Sequence, residues 1–185
     1  MSEPITCMDI EIAVMHDFSP RRNLVVPNVW WGMNFNHECD ILVVTKAGVG
    51  TEIEIKTNKY DLINDKKKPH GHSSHKIRRL YFAIPTDLMP YIEHIPEHAG
   101  IIEVYKVEGE NGHRVRYHRT AKENGKYKFD DKEMQKLGHL GAMRIIDLKR
   151  IVRTLVRNHM TTTSNHRGGR DEGGCGRPSP NIPRK

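Results

Sequence analysis

The chain has 185 residues, 36% of them hydrophobic, with 30 Lys+Arg against 23 Asp+Glu and a formal net charge of +7. That length suits a single domain with an aliphatic core, and three widely spaced cysteines (Cys7, Cys39, Cys175) exclude a disulfide framework or a paired-cysteine metal knuckle. No segment approaches the roughly 20 apolar residues of a membrane span and no signal-type region opens the chain, so a cytoplasmic protein without membrane contact is expected. Its basic balance favours polyanions.

Met8 to Phe18 has two readings. Met8, Ile10, Ile12 and Val14 alternate as on a strand, whereas Met8, Ile12, Met15, Phe18 and Val14 share one helical arc. Ser19-Pro20 and Arg21-Arg22 end a helix naturally, so helix is expected, with Glu11 inside the apolar arc. An inward carboxylate needs a cation or a metal; on a strand Glu11 is simply solvent-facing. Asn23 to Trp31, broken at Pro27, reads as an edge strand. Asp40 to Val44 is an apolar strand, and the Gly-containing turn Lys46 to Gly50 folds it back into Thr51 to Lys56. There, strict alternation puts Glu52, Glu54 and Lys56 on one face and Ile53 and Ile55 on the other.

Asn58 opens a helix with Asp61 in a capping role. Leu80 to Ile84, a short helix over Asp87 to His94, and Ile101 to Tyr105 form a strand–helix–strand crossover, hence a mixed sheet with helices on its faces. Gly109 to Lys128 reads as a polar hairpin or excursion of low stability. A helix begins near Asp130, with Glu133 three residues on, and Gly138 and Gly141 are expected to break it. Beyond Met143, the arc of Ile145, Leu148, Ile151, Val152, Leu155 and Val156 is expected to dock, while Lys149, Arg150, Arg153 and Arg157 form a basic arc. The composition past Thr161 implies a disordered basic tail, which gives a domain over 1–160 and a tail over 161–185.

The chemistry lies in Asp40 and Glu54-Ile55-Lys56. The hairpin brings the Glu54/Lys56 face beside Asp40. Two carboxylates and a strand carbonyl are the oxygen ligands that Mg²⁺ or Mn²⁺ prefers. A neighbouring lysine can orient a water and offset charge on a phosphoryl oxygen. This is the set that phosphodiester hydrolysis requires, although Glu-x-Glu-x-Lys alternation also describes a solvent-facing strand.

The surrounding stretches narrow the choice. Asn23-Leu-Val-Val-Pro-Asn-Val-Trp-Trp-Gly32, His37-Glu-Cys-Asp40, Thr51-Glu-Ile-Glu-Ile-Lys56, Lys59-Tyr-Asp-Leu62, Asp65-Lys-Lys-Lys68, Arg78-Arg-Leu-Tyr-Phe-Ala-Ile-Pro85 and Ile95-Pro-Glu-His-Ala-Gly-Ile-Ile102 resemble, in order, the MmcB-like branch of the PD-(D/E)XK nuclease-like superfamily. Gly141-Ala-Met-Arg144 is a weaker echo. The resemblance implies a restriction-endonuclease-like α/β fold, with a mixed central sheet flanked by helices. It implies that Asp40, Glu54 and the Ile55 carbonyl hold Mg²⁺ or Mn²⁺, that Lys56 is the catalytic lysine, and that Glu11 completes the site. The proline of the motif's name is absent, since Cys39 precedes Asp40.

The expectation is therefore a metal-dependent deoxyribonuclease or nuclease-like DNA repair protein, with a homodimer compatible. The alternative is a catalytically silent nucleic-acid- or partner-binding protein on the same fold. Lys59, Lys67, Lys68, His70, His72 and Arg78 are the candidate nucleic-acid contacts. His70-Gly-His72-Ser-Ser-His75 also has imidazoles that can bind Zn²⁺. Asp61 and Asp65, a helical turn apart, either balance Lys59 and Lys68 or orient Lys56. Of Trp30 and Trp31, at least one is expected in the core, and Cys39 reads as a small buried hydrophobe.

Overall fold

Thr6 starts the first helix. Its side chain accepts from the Asp9 N–H while the Asp9 carboxylate accepts from the Thr6 N–H, a reciprocal cap that opens α1 (Cys7–Asp17). The computed structural model describes residues 3–30, 32–65, 72, 74–109 and 112–167, with side chains through residue 159. Six strands follow α1 or interleave with later helices: β1 (Leu24–Val29), β2 (Cys39–Val44), β3 (Gly50–Ile55), β4 (Arg79–Pro85), β5 (Gly100–Lys106) and β6 (His113–Arg119). They form one mixed sheet in chain order. β1, β2 and β3 are an antiparallel meander, β3–β4 and β4–β5 are parallel, and β6 returns antiparallel to β5.

The parallel joins need crossovers. Between β3 and β4 the chain passes through α2 (Lys59–Asn64), whose N-cap Asn58 accepts from the Asp61 N–H. Between β4 and β5 lies a 3₁₀ segment, Thr86–His94, interrupted at Tyr91. The protein is thus α/β, with a mixed sheet flanked by helices.

Strand alternation divides the core. One face carries Ile41, Val43, Ile53, Ile55, Tyr81, Ala83, Ile102 and Val104, and α1 covers it with Ile10, Ala13 and Val14. The other face holds two apolar clusters. Leu42, Val44, Phe129 and Leu137 belong to one; Leu62, Leu80, Phe82, Leu88 and Ile101 belong to the other. Glu52 is in register with Leu42 on one side and Leu80 on the other, and Glu54 pairs with Phe82. The polar side chains of β3 therefore lie between the two apolar clusters.

The C-terminal half first follows the expected hairpin and then departs from expectation. The polar stretch after Gly109 supplies β6, an edge strand whose backbone is satisfied by β5. α3 (Asp131–Arg167) runs through Gly138 and Gly141 unbroken. Asp130 and Glu133 cap it reciprocally, and buried Leu137 anchors it among the first cluster's side chains. Gly141 meets Val26 so closely that an added Cβ would sit 3.4 Å from its Cγ2. Ile145, Leu148, Ile151, Val152, Leu155 and Val156 are exposed. The chain divides into two compact units, one ending at Arg144 and one beginning at Ile145, and residues 161–167, expected in a disordered tail, are helical. Residues 168–185 of the expected tail lie outside the described residues.

Candidate metal centre

β3 delivers three ionisable side chains to one face, and all three are buried: Glu52, Glu54 and Lys56. Lys56, whose side chain is 1% exposed, places Nζ 2.6 Å from Glu54 Oε1 and 2.8 Å from Asp65 Oδ1. Asp61 Oδ2 lies 3.4 Å away. Asp61 and Asp65 are one turn apart at α2, which aims both at the ammonium. A buried ammonium is tolerated only with such pairing, so both aspartates take the Lys56-orienting role.

His72 is clamped between carboxylates. Nε2 is 3.0 Å from Asp65 Oδ2 and Nδ1 is 3.0 Å from Glu52 Oε1. Burial alone would depress this imidazole, but the hydrogen bonds to Asp65 and Glu52 and the charge of Glu54 push it up to about 9. Its backbone φ of 51° lies in the left-handed region. His37 approaches the same Glu52 oxygen, with Nε2 2.6 Å from Oε1, and the two imidazole rings meet edge-on at 5.2 Å. Burial would raise the Glu52 carboxyl, but hydrogen bonds from His37 and His72 outweigh it and hold the group below its ordinary value.

Asp40 is half-buried where β2 begins, and its Oδ2 accepts from the Ile55 N–H at 2.7 Å. Its charge is felt in two directions. Burial first, then Asp40 and Glu11, raise the Cys7 thiol on α1; burial first, then Glu52, Glu54, Asp40 and Glu38, push the Cys39 thiol well up. Glu11 is half-buried, and desolvation raises its carboxyl. It shares Cys7 with Asp40 as a neighbour, but α1 packs on the Ile53/Ile55 face, opposite Glu54 and Lys56. The structure therefore brings Glu54 and Lys56 into contact, sets Asp40 on the peptide of Ile55 between them, and leaves Glu11 on the other face.

The expected nucleic-acid contacts are placed differently. His72 is buried in the acidic cluster rather than surface-exposed. The Arg78 guanidinium is engaged by Glu123, which also takes Arg79, and its side chain is only 16% exposed. Lys59 is exposed, with its ammonium 4.1 Å from the centroid of the Tyr91 ring. Lys67, Lys68 and His70 lie outside the described residues, as does Trp31; Trp30 is exposed and Cys39 is buried.

Sequence reasoning missed His37 and Glu52 as partners and left Asp65 between charge balance and the orienting of Lys56. Glu52 was already on the right face by alternation, but nothing in the spacing joins His37, 15 residues away, to it.

Chemically, the donor atoms suit a divalent cation. Among the described residues, ligand atoms converge within 4.8 Å of one another in two buried groups, His37/Glu52/His72 and Glu54/Asp65/His72. Asp40 belongs to neither. Glu52 Oε2 is buried with no hydrogen-bond partner among the described residues, the state of an oxygen that lacks a donor or a cation.

No protein-family model matches the chain, and no curated protein matches it. The fold is similar to that of a solved protein of unknown function from Silicibacter pomeroyi, with a TM-score of 0.55 and 15% identity over 82% of this chain and 92% of that one. That likeness concerns the fold alone.

Proposed function

We propose that this chain is a metal-dependent phosphodiester hydrolase acting on DNA, with a restriction-endonuclease-like fold of the PD-(D/E)XK nuclease-like superfamily near its MmcB-like branch. The observation that carries the reading is the Glu54–Lys56 contact of 2.6 Å beside Asp40, whose carboxylate holds the Ile55 peptide at 2.7 Å. Asp40, Glu54 and the Ile55 carbonyl would hold Mg²⁺ or Mn²⁺, a hard oxygen set suited to either ion. Bound there, the ion supplies Lewis acidity and a template for an attacking water. Lys56 fixes the Glu54 carboxylate, while Asp61 and Asp65 fix Lys56. The formal charge of +7 favours approach of a polyanion.

A second reading has its own support. Lys56 is 1% exposed and surrounded by Glu54, Asp61 and Asp65, so in this arrangement its ammonium is a brace and does not meet solvent. This favours a catalytically silent nucleic-acid- or partner-binding protein on the same fold. Incubation with labelled single-stranded, duplex and branched DNA in Mg²⁺, Mn²⁺ or EDTA separates the two. Cleavage that requires the ion supports the hydrolase, whereas salt-sensitive binding without cleavage supports the silent binder.

A further inference from the structure

We propose that His37, Glu52 and His72 form a second, buried site for a late first-row divalent ion, Zn²⁺ in the first place, that ties His37 and His72 to Glu52 of β3. The site uses neither Asp40 nor Lys56 and meets the hydrolase reading only at Glu54.

Three observations carry it. First, the donor types are two imidazoles and a carboxylate, a set that selects zinc and its neighbours over Mg²⁺. Their ligand atoms converge within 4.8 Å. Second, each imidazole is oriented from behind. Asn36 Oδ1 lies 2.7 Å from His37 Nδ1, and Asp65 Oδ2 lies 3.0 Å from His72 Nε2. A bound ion would displace the protons that His37 Nε2 and His72 Nδ1 share with Glu52, freeing those two nitrogens as ligands while the ring protons behind them stay directed at Asn36 and Asp65. An oxygen acceptor behind each ring is the arrangement that fixes tautomer and ring orientation in metal-ligating histidines. Third, Glu52 is fully buried, yet its Oε2 has no hydrogen-bond partner among the described residues.

The fit requires little movement. Ligands of a tetrahedral zinc stand about 3.4 Å apart, given bonds of about 2.0–2.1 Å. His37 Nε2 and His72 Nδ1 lie 2.6 and 3.0 Å from Glu52 Oε1, so each contact opens by less than about 1 Å. Glu54 Oε2, 3.8 Å from His72 Nδ1, can close the fourth position. Burial of all three ligands makes this a closed site, the structural rather than the catalytic type.

The test is a titration of the full chain, stripped by chelator, with Zn²⁺ against a chromophoric competitor and with Co²⁺ followed by visible absorption. The expected result is one tight equivalent, with the cobalt bands of a four- or five-coordinate nitrogen–oxygen site and a raised thermal midpoint. His37→Gln and Glu52→Gln each weaken uptake by more than about 100-fold, beyond what loss of an orienting partner causes. Asp40→Asn, which should disable the hydrolytic centre, leaves this uptake unchanged. The wild-type cobalt spectrum is decisive even where a variant fails to fold: absence of a saturable band overturns the site. Uptake lost in Asp40→Asn but kept in His37→Gln also overturns it, by placing the ion in the hydrolytic centre.

Discussion

Lys56→Met tests how the cluster on β3 is held together. The substitution keeps most of the side chain's length and its apolar stem and removes its charge from a place that is 1% exposed. Removing one member of a buried pair costs about 3–5 kcal/mol, because the partner is left charged without compensation. Here the loss falls chiefly on Glu54. Asp65 retains His72 Nε2 at 3.0 Å, and Asp61, whose side chain is 47% exposed, retains water. The lower end, about 3 kcal/mol, is therefore expected. For a unit of this size that is a fall of roughly 6–12 °C in the thermal midpoint. Urea unfolding at pH 7 measures it directly. Adding Glu54→Gln to Lys56→Met should restore most of the loss, since the uncompensated charge is gone. A loss below about 1 kcal/mol, or a double variant no more stable than Lys56→Met alone, would refute the reasoning.

Other perturbations probe the frame around the site. Gly100→Ala at the start of β5 would put a Cβ 2.2 Å from Tyr81 Cε1 and 2.8 Å from the Ala121 nitrogen; overpacking of this kind should cost about 1–3 kcal/mol in thermal denaturation. Glu133 titrates with a stated sign. Burial would raise its carboxyl, but Lys76, Tyr127 and the Asp130 N–H outweigh it and hold it below its ordinary value. Its stabilisation is thus present above the unfolded pKa and lost as pH falls through the folded one. Glu133→Gln should lower the urea midpoint at pH 7, with the gap to wild type narrowing as pH falls below the ordinary carboxylate range. Cys39, buried with its thiol pushed well up, should resist alkylation at pH 8 in the native protein while exposed Cys7 reacts; mass spectrometry after brief iodoacetamide treatment reads both.

The strands were legible because they alternate. Ile53 and Ile55 against Glu52, Glu54 and Lys56 is a period of two that admits one register, and the structure has it. The helix over Cys7–Asp17 and the Asp130/Glu133 cap were equally readable, because arc and cap chemistry are local. What the sequence hid is non-local. His37 and His72 reach Glu52 across 15 and 20 residues, from segments without periodicity. Glu11 was placed by its position inside an apolar arc, yet only the packing of α1 decides which sheet face that arc covers. Gly138 and Gly141 fail as helix breakers because Leu137 is fully buried and tertiary anchoring overrides propensity.

The central claim is that Asp40 and Glu54 hold the ion for phosphodiester hydrolysis, and Asp40→Asn tests it most directly. An asparagine oxygen can still accept from the Ile55 N–H, so the fold is kept while the charge that would bind the ion is removed. Single-turnover cleavage of labelled DNA is measured for wild type and variant in Mg²⁺, Mn²⁺ and EDTA. The account predicts cleavage only with the divalent ion, reduced at least about 100-fold in Asp40→Asn, a loss of about 2.7 kcal/mol in transition-state stabilisation. Cleavage that persists in EDTA, or that proceeds equally in the variant, would contradict it.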